Sequence, residues 1–127
     1  MQTLASPSAS AVVTQAVVTQ AVLRAAAHLG LSARILAKII GLNEPTLSHM
    51  TDGGYELAPG SQPFELSVLF IRMFRSLDTI AGGNSSVASQ WMTNNNSAIG
   101  ACPVERIQAT NGLSDVIAYL EARRAPI

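Results

Sequence analysis

The chain has 127 residues and a mass of 13.3 kDa, which is one ordinary domain or two very small ones and too little for a two-domain enzyme. It is 48% hydrophobic but only 5% aromatic and 13% charged, so Ala, Val, Ile and Leu build the core, and a charge coat about half the usual density implies surface covered by a partner or by a second copy in a homodimer. Charge is balanced in each half, with Arg24, Arg34 and Lys38 against Glu44, Asp52 and Glu56 through residue 60 and five of each sign after it, so net charge supplies no attraction for nucleic acid.

Cys102 is the single cysteine, which excludes an internal disulfide. With only His28 and His49 beside it, no Cys/His cluster for zinc is available and no cofactor is expected. A reducing cytoplasm fits this usage. Met1 to Ala21 places no Lys or Arg ahead of its apolar run and interrupts that run with Thr14, Gln15, Thr19 and Gln20, so it is not expected to act as a signal peptide. No stretch has the length of a membrane span.

Residues 2–10 are rich in Ser, Thr, Ala and Pro and, together with the chain up to residue 15, are predicted as an N-terminal arm held by something else, such as a second subunit. Ala-Val-Val-Thr-Gln occurs at 11–15 and again at 16–20; two copies of five residues make a helix lead-in rather than a solenoid unit. From Val17 the apolar positions Val18, Val22, Ala25, Ala26 and Leu29 share one helical face, and Gly30 stops that helix. Ser32 is the predicted N-cap of a second helix carrying Ile35, Leu36, Ile39 and Ile40, closed by Gly41. Asn43 caps a third, from Glu44 to about Met50, with Pro45 in the first turn, where a missing N–H has no cost. Two clusters, Asp52-Gly53-Gly54 and Pro59-Gly60, mark a boundary between subdomains.

The longest periodic run, Gln62 to about Ala81, places Phe64, Val68, Ile71, Phe74 and Leu77 on one face and Leu66, Leu69, Phe70, Met73 and Ile80 on its flank, leaving Glu65, Arg72, Ser76 and Thr79 as a narrow polar strip. A helix with Val87, Ala88, Trp91 and Met92 follows, then an Asn-rich link. Cys102-Pro103 opens a helix through Ile107 to Ala109, and Asn111-Gly112 turns the chain into a last one with Leu113, Val116, Ile117 and Leu120. No segment reads as a strand, and the fold class is all-α.

Ala37 to His49 has the spacing of a helix-turn-helix. Ala37 is small where two helices cross, Gly41 permits the left-handed turn, and Leu42 and Leu47 point inward. Glu44, Thr46, Ser48 and His49 are left outward for a major groove, with Asn43 at the turn and Arg34 and Lys38 placed for phosphates. The competing reading is an inherited helical scaffold that no longer touches DNA, since three basic residues are few where phosphate attraction dominates affinity.

In the second half, Leu77 to Asn84, Ala88, Trp91-Met92, Asn96 to Gly100, Pro103-Val104-Glu105, Thr110-Asn111-Gly112 and Val116-Ile117 to Leu120 resemble the toxin-binding domain of Xre/ParS-type bacterial antitoxins, and the order, helix-turn-helix first, is similar too. The resemblance covers about Ala16 to Leu120. It implies a helix-turn-helix domain at 16–58, a toxin-binding domain at 62–127, and a protein that neutralises a RES-type, NAD-degrading toxin while repressing its own operon at operator DNA. In relatives the C-terminal segment covers the toxin's active-site cleft, which here points to Tyr119, Glu121, Arg123, Arg124 and the tail Ala125-Pro126-Ile127. The two arginines also have a simpler role as cations complementing a helix C-terminus.

Without the family, Trp91 reads as a core anchor rather than a binding hot spot, Gly100 and Gly112 as turn positions and Pro103 as a helix start. Cys102 stands where a hydroxyl cap would be expected and reads as a small apolar filler. His28 is a helix-face residue and His49 a phosphate or base contact. Neither histidine has a carboxylate at a supporting sequence spacing, so no nucleophile, base and orienting group assemble, and the chain is not expected to be an enzyme. The rival functions are a free-standing helix-turn-helix regulator whose second domain only dimerises, and an interaction module with a vestigial helix-turn-helix.

Overall fold

A computed structural model describes residues 9–124, with side chains from Thr14 to Arg124. The tail from Ala125 to Ile127 lies outside that range. Seven helices follow one another: α1 Ala9–His28, α2 Ala33–Ile40, α3 Glu44–Thr51, α4 Gln62–Ile80, α5 Ser85–Thr93, α6 Pro103–Arg106 and α7 Gly112–Arg124. Among the described residues the only β pairing is an isolated bridge between Asn96 and Ala101.

The caps explain where most of these helices start. The side-chain oxygens of Ser32, Asn43, Ser61 and Asn84 accept hydrogen bonds from the backbone N–H three residues on, at Ile35, Thr46, Phe64 and Val87, satisfying donors that a helix N-terminus leaves open. Cys102 occupies the same position before α6 but makes no side-chain cap bond, as a weak sulfur acceptor allows. Gly41 closes α2 at φ +79°, and the N–H groups of Gly41 and Leu42 both return to the carbonyl of Ala37, which ties the turn of the helix-turn-helix down.

Helix α1 reaches back to Ala9, so residues 9–15, predicted as part of an arm, are helical and the pentapeptide repeat lies within one continuous helix. Alternating Ala, Val, Thr and Gln has no glycine or proline to interrupt it. Thr19 is 1% exposed; its hydroxyl donates to Gln15 O at 2.8 Å and accepts from Leu57 N at 3.1 Å. That pair of bonds ties the loop after α3 back onto α1, burying Leu57 completely.

Helix α4 is the central element, packed against α1 and α2 on the N-terminal side and against α7 on the C-terminal side. Its buried stripe is Phe64, Ser67, Phe70, Met73, Ser76 and Leu77. This differs from the predicted face in two ways: Val68 and Ile80 are 41% and 44% exposed, and Ser76, assigned to the polar strip, is fully buried. Val68 lies three, four and seven residues from Glu65, Arg72 and Arg75, on the exposed polar side of the helix, and Ser76 lies at the edge of that side, where periodicity does not decide. The neighbours decide, and Ser67 and Ser76 are small side chains at the most enclosed positions. One cluster of buried side chains, from Val22 to Leu120, runs through both halves.

Helix α6 ends at Arg106, short of the predicted Ala109. Gln108, Ala109 and Gly112 N–H groups bond three residues back, a tighter winding than α-helix. Asn111 then adopts φ +62°. Gly112, read as a turn residue, does not have a positive φ; a Cβ there would lie 1.7 Å from the Arg106 carbonyl oxygen. The left-handed position belongs to Asn111, and Gly112 is required because two backbone segments touch. Gly100 is a turn position as expected, at φ +85°.

Candidate nucleic-acid and protein interfaces

In α3, Leu47 and Met50 are buried, which turns Glu44, Pro45, Ser48 and His49 to solvent. Thr46 is half-buried, and the Asn43 side chain spends its Oδ1 on the Thr46 N–H at 2.8 Å, leaving only its amide NH2 free to donate outward. Arg34 and Lys38, one turn apart on α2, are exposed, and among the described residues neither has an ion-pair partner. Four of the predicted DNA contacts, Arg34, Lys38, Asn43 and Glu44, line one concavity of about 450 Å³. Thr46, Ser48 and His49 are not part of its lining. The concavity also takes in Gln108 from beyond α6, which no local pattern in the sequence foreshadows.

The predicted toxin contacts on α7 divide between two sides of that helix. Tyr119 and Arg123 face α5. Trp91 stacks on Tyr119 with ring centroids 6.3 Å apart and planes 21° from parallel, and the Arg123 guanidinium carbon sits 5.6 Å from the Tyr119 centroid, within cation–π range. Trp91 is half-buried and packs against the buried cluster. Its neighbour Met92 takes the fully enclosed place, because consecutive helical residues point about 100° apart.

Glu121 and Arg124 face α4. Arg72 donates two parallel hydrogen bonds to Glu121, Nε to Oε2 and Nη2 to Oε1, each 2.7 Å. Arg124 Nη1 donates to Ser76 Oγ at 2.9 Å. Side-chain hydrogen bonding from Arg72 holds the Glu121 carboxyl below the usual carboxylate range, and Glu121 in turn raises the Arg72 guanidinium. Glu121 and Arg124 therefore take part in intramolecular contacts with α4. Ile127 lies outside the described residues. Of these pairings, only the spacing of Tyr119 and Arg123, four apart on one helix, is visible in the sequence; Arg72 and Glu121 are far apart in the chain and meet only through packing.

The crossing of α1 and α4 also gives His28 a carboxylate neighbour that sequence spacing did not show. Nε2 of His28 is 3.6 Å from Asp78 Oδ1, and the imidazole meets Phe74 edge-on at 5.2 Å. At that separation the pair is longer than a hydrogen bond. Among the described residues no group of His, Cys, Asp and Glu could hold a metal ion, and no helix is long and apolar enough to cross a membrane.

Residues 8–72 match the family described as Antitoxin Xre-like helix-turn-helix domain, and residues 76–125 match Antitoxin Xre/MbcA/ParS C-terminal toxin-binding domain. No individual curated protein matches the chain. The two family matches meet inside α4. Both are regulatory rather than enzymatic domains, and the chain, carrying them in this order, belongs to the Xre/ParS-type antitoxins of type II toxin–antitoxin systems.

Proposed function

We propose that the protein binds and occludes a RES-type toxin that degrades NAD, and that it represses its own operon by placing α3 in the major groove of operator DNA. The observation that carries the toxin reading is the Trp91–Tyr119–Arg123 stack on the surface of the toxin-binding domain, an aromatic and arginine array of the composition that dominates protein interfaces. Tyr119 and Arg123 form the anchor. Glu121 and Arg124 hold α7 to α4 behind it, and Ile127, outside the described residues, is a further proposed toxin contact. The protein works in the cytoplasm as a homodimer. That arrangement doubles its two unpaired reading-face cations and covers exposed apolar side chains such as Val17 and Val68, 58% and 41% accessible.

Support for operator binding comes from the exposed Ser48 and His49 on α3 and the unpaired Arg34 and Lys38 beside it. Co-expression with the adjacent gene tests the toxin reading. The full chain should co-purify with that gene's product, restore growth and preserve cellular NAD, and Tyr119→Ala/Arg123→Ala should weaken capture by about 10² or more. Rescue of growth from a toxin that leaves NAD intact would overturn the RES assignment alone. Absence of both co-purification and rescue would return the free-standing regulator. A promoter duplex left unshifted at low salt would remove the operator claim.

A further inference from the structure

We infer that the turn between α6 and α7, from Gln108 to Asn111, is a second DNA-contacting element, a neutral lip that meets a backbone phosphate next to the one met by Arg34 and Lys38. This rests on the operator-binding reading of α3. Gln108 shares a concavity with Arg34, Lys38, Asn43 and Glu44, and Lys38 lines a second one, of about 390 Å³, together with Gln108, Thr110, Asn111 and Ser114. Lys38, on α2 of the helix-turn-helix, therefore borders this turn, and a phosphate drawn to its ammonium arrives beside both.

The chemistry of the turn suits that neighbour. From Gln108 to Ser114 there is no carboxylate; of the two that flank the turn, Asp115 is neutralised by a salt bridge to Arg106 and Glu105 lines neither concavity. Thr110, Asn111 and Ser114 are exposed. The Gln108 amide uses one N–H on Val104 O at 2.9 Å and keeps the other. Hydroxyls and side-chain amides are ordinary phosphate donors, and such contacts fix register on a duplex without reading sequence. Glu44 is the one acidic group on the shared rim; it sits in the first turn of α3, where the helix dipole offsets its charge.

The turn is also held in place. Asn111 in the left-handed conformation, the contact of Gly112 with the Arg106 carbonyl and the run of three-residue backbone bonds leave it little freedom, so a contact there would cost little ordering entropy on binding. In a reading head with two unpaired cations, fixed neutral donors add phosphate contacts without adding charge.

A charge scan at exposed Thr110 on the full chain tests this, using a duplex spanning the promoter upstream of the protein's own coding sequence. Thr110→Lys should tighten binding about fivefold to tenfold near 0.1 M salt and steepen the slope of log affinity against log salt by about one per reading head. Thr110→Glu should weaken binding by a similar factor, and Gln108→Lys should behave like Thr110→Lys. Gln90→Lys on α5 controls for net charge, and equal melting temperatures show that the variants fold. Lys and Glu variants that bind the duplex like wild type would overturn the lip. So would variants that alter toxin co-purification but not DNA binding, which would make the turn a protein contact. If the lip variants are silent while Lys38→Ala weakens binding, the lip alone fails; if wild type leaves the duplex unshifted, the operator reading fails and the lip with it.

Discussion

Gly112 and Asn111 are neighbours with opposite requirements. Gly112→Ala forces a methyl group into the Arg106 carbonyl, and backbone rather than a flexible side chain must move. The expected cost is about 2–3 kcal/mol, toward the upper end for overpacking. Asn111→Gly should be tolerated, because φ +62° suits glycine, whereas Asn111→Ala should lose about 1 kcal/mol for a left-handed residue without a polar side chain. Urea denaturation of the three variants checks the order, and a Gly112→Ala protein as stable as wild type would show that the turn yields. The sequence pattern Thr-Asn-Gly announces a turn here; it does not say which residue bends the chain and which one lets helices touch. That distinction depends on where Arg106 ends up.

At the level of elements, the caps of α2 and α3 and the buried faces of α1, α2 and α7 were readable, and the edges of the buried face of α4 were not. Ser32, Asn43 and Gly41 mark α2 and α3 because their roles are local, settled within four residues. The exposure of Val68 agrees with its place among Glu65, Arg72 and Arg75 on one side of α4, while the burial of Ser76, at the edge of that side, is settled by what packs against it. The same holds for the candidate site. Exposure of Ser48 and His49 follows from the α3 period, while the division of α7 into a Tyr119/Arg123 side and a Glu121/Arg124 side follows from α4 and α5 lying against it.

The Arg72–Glu121 clamp makes its own prediction. Because Arg72 lowers the Glu121 pKa, the pairing contributes above the unfolded carboxylate value of about 4.3 and is lost as pH falls through the lower folded value. Both groups are largely exposed, so the effect is small and weakened by salt. Melting temperatures of wild type and Glu121→Gln should differ slightly at neutral pH and converge in acid below that range. A difference that persists there would mean the clamp acts through packing.

For the molecule as a whole, one buried cluster spans both family matches, and this predicts a single cooperative transition. Trp91, the only tryptophan, reports from the toxin-binding side, while far-UV circular dichroism reports all helices. The two melting curves should superimpose, and a separate early transition in either would show that the halves unfold independently.

Helix α4 belongs to both halves, with Phe64 and Phe70 inside one match and Leu77 inside the other. The two matched halves are therefore joined through a largely buried helix rather than a free linker. An engineered exchange of one matched half for that of another such protein must carry all of α4 with one parent and repair the interface with the other.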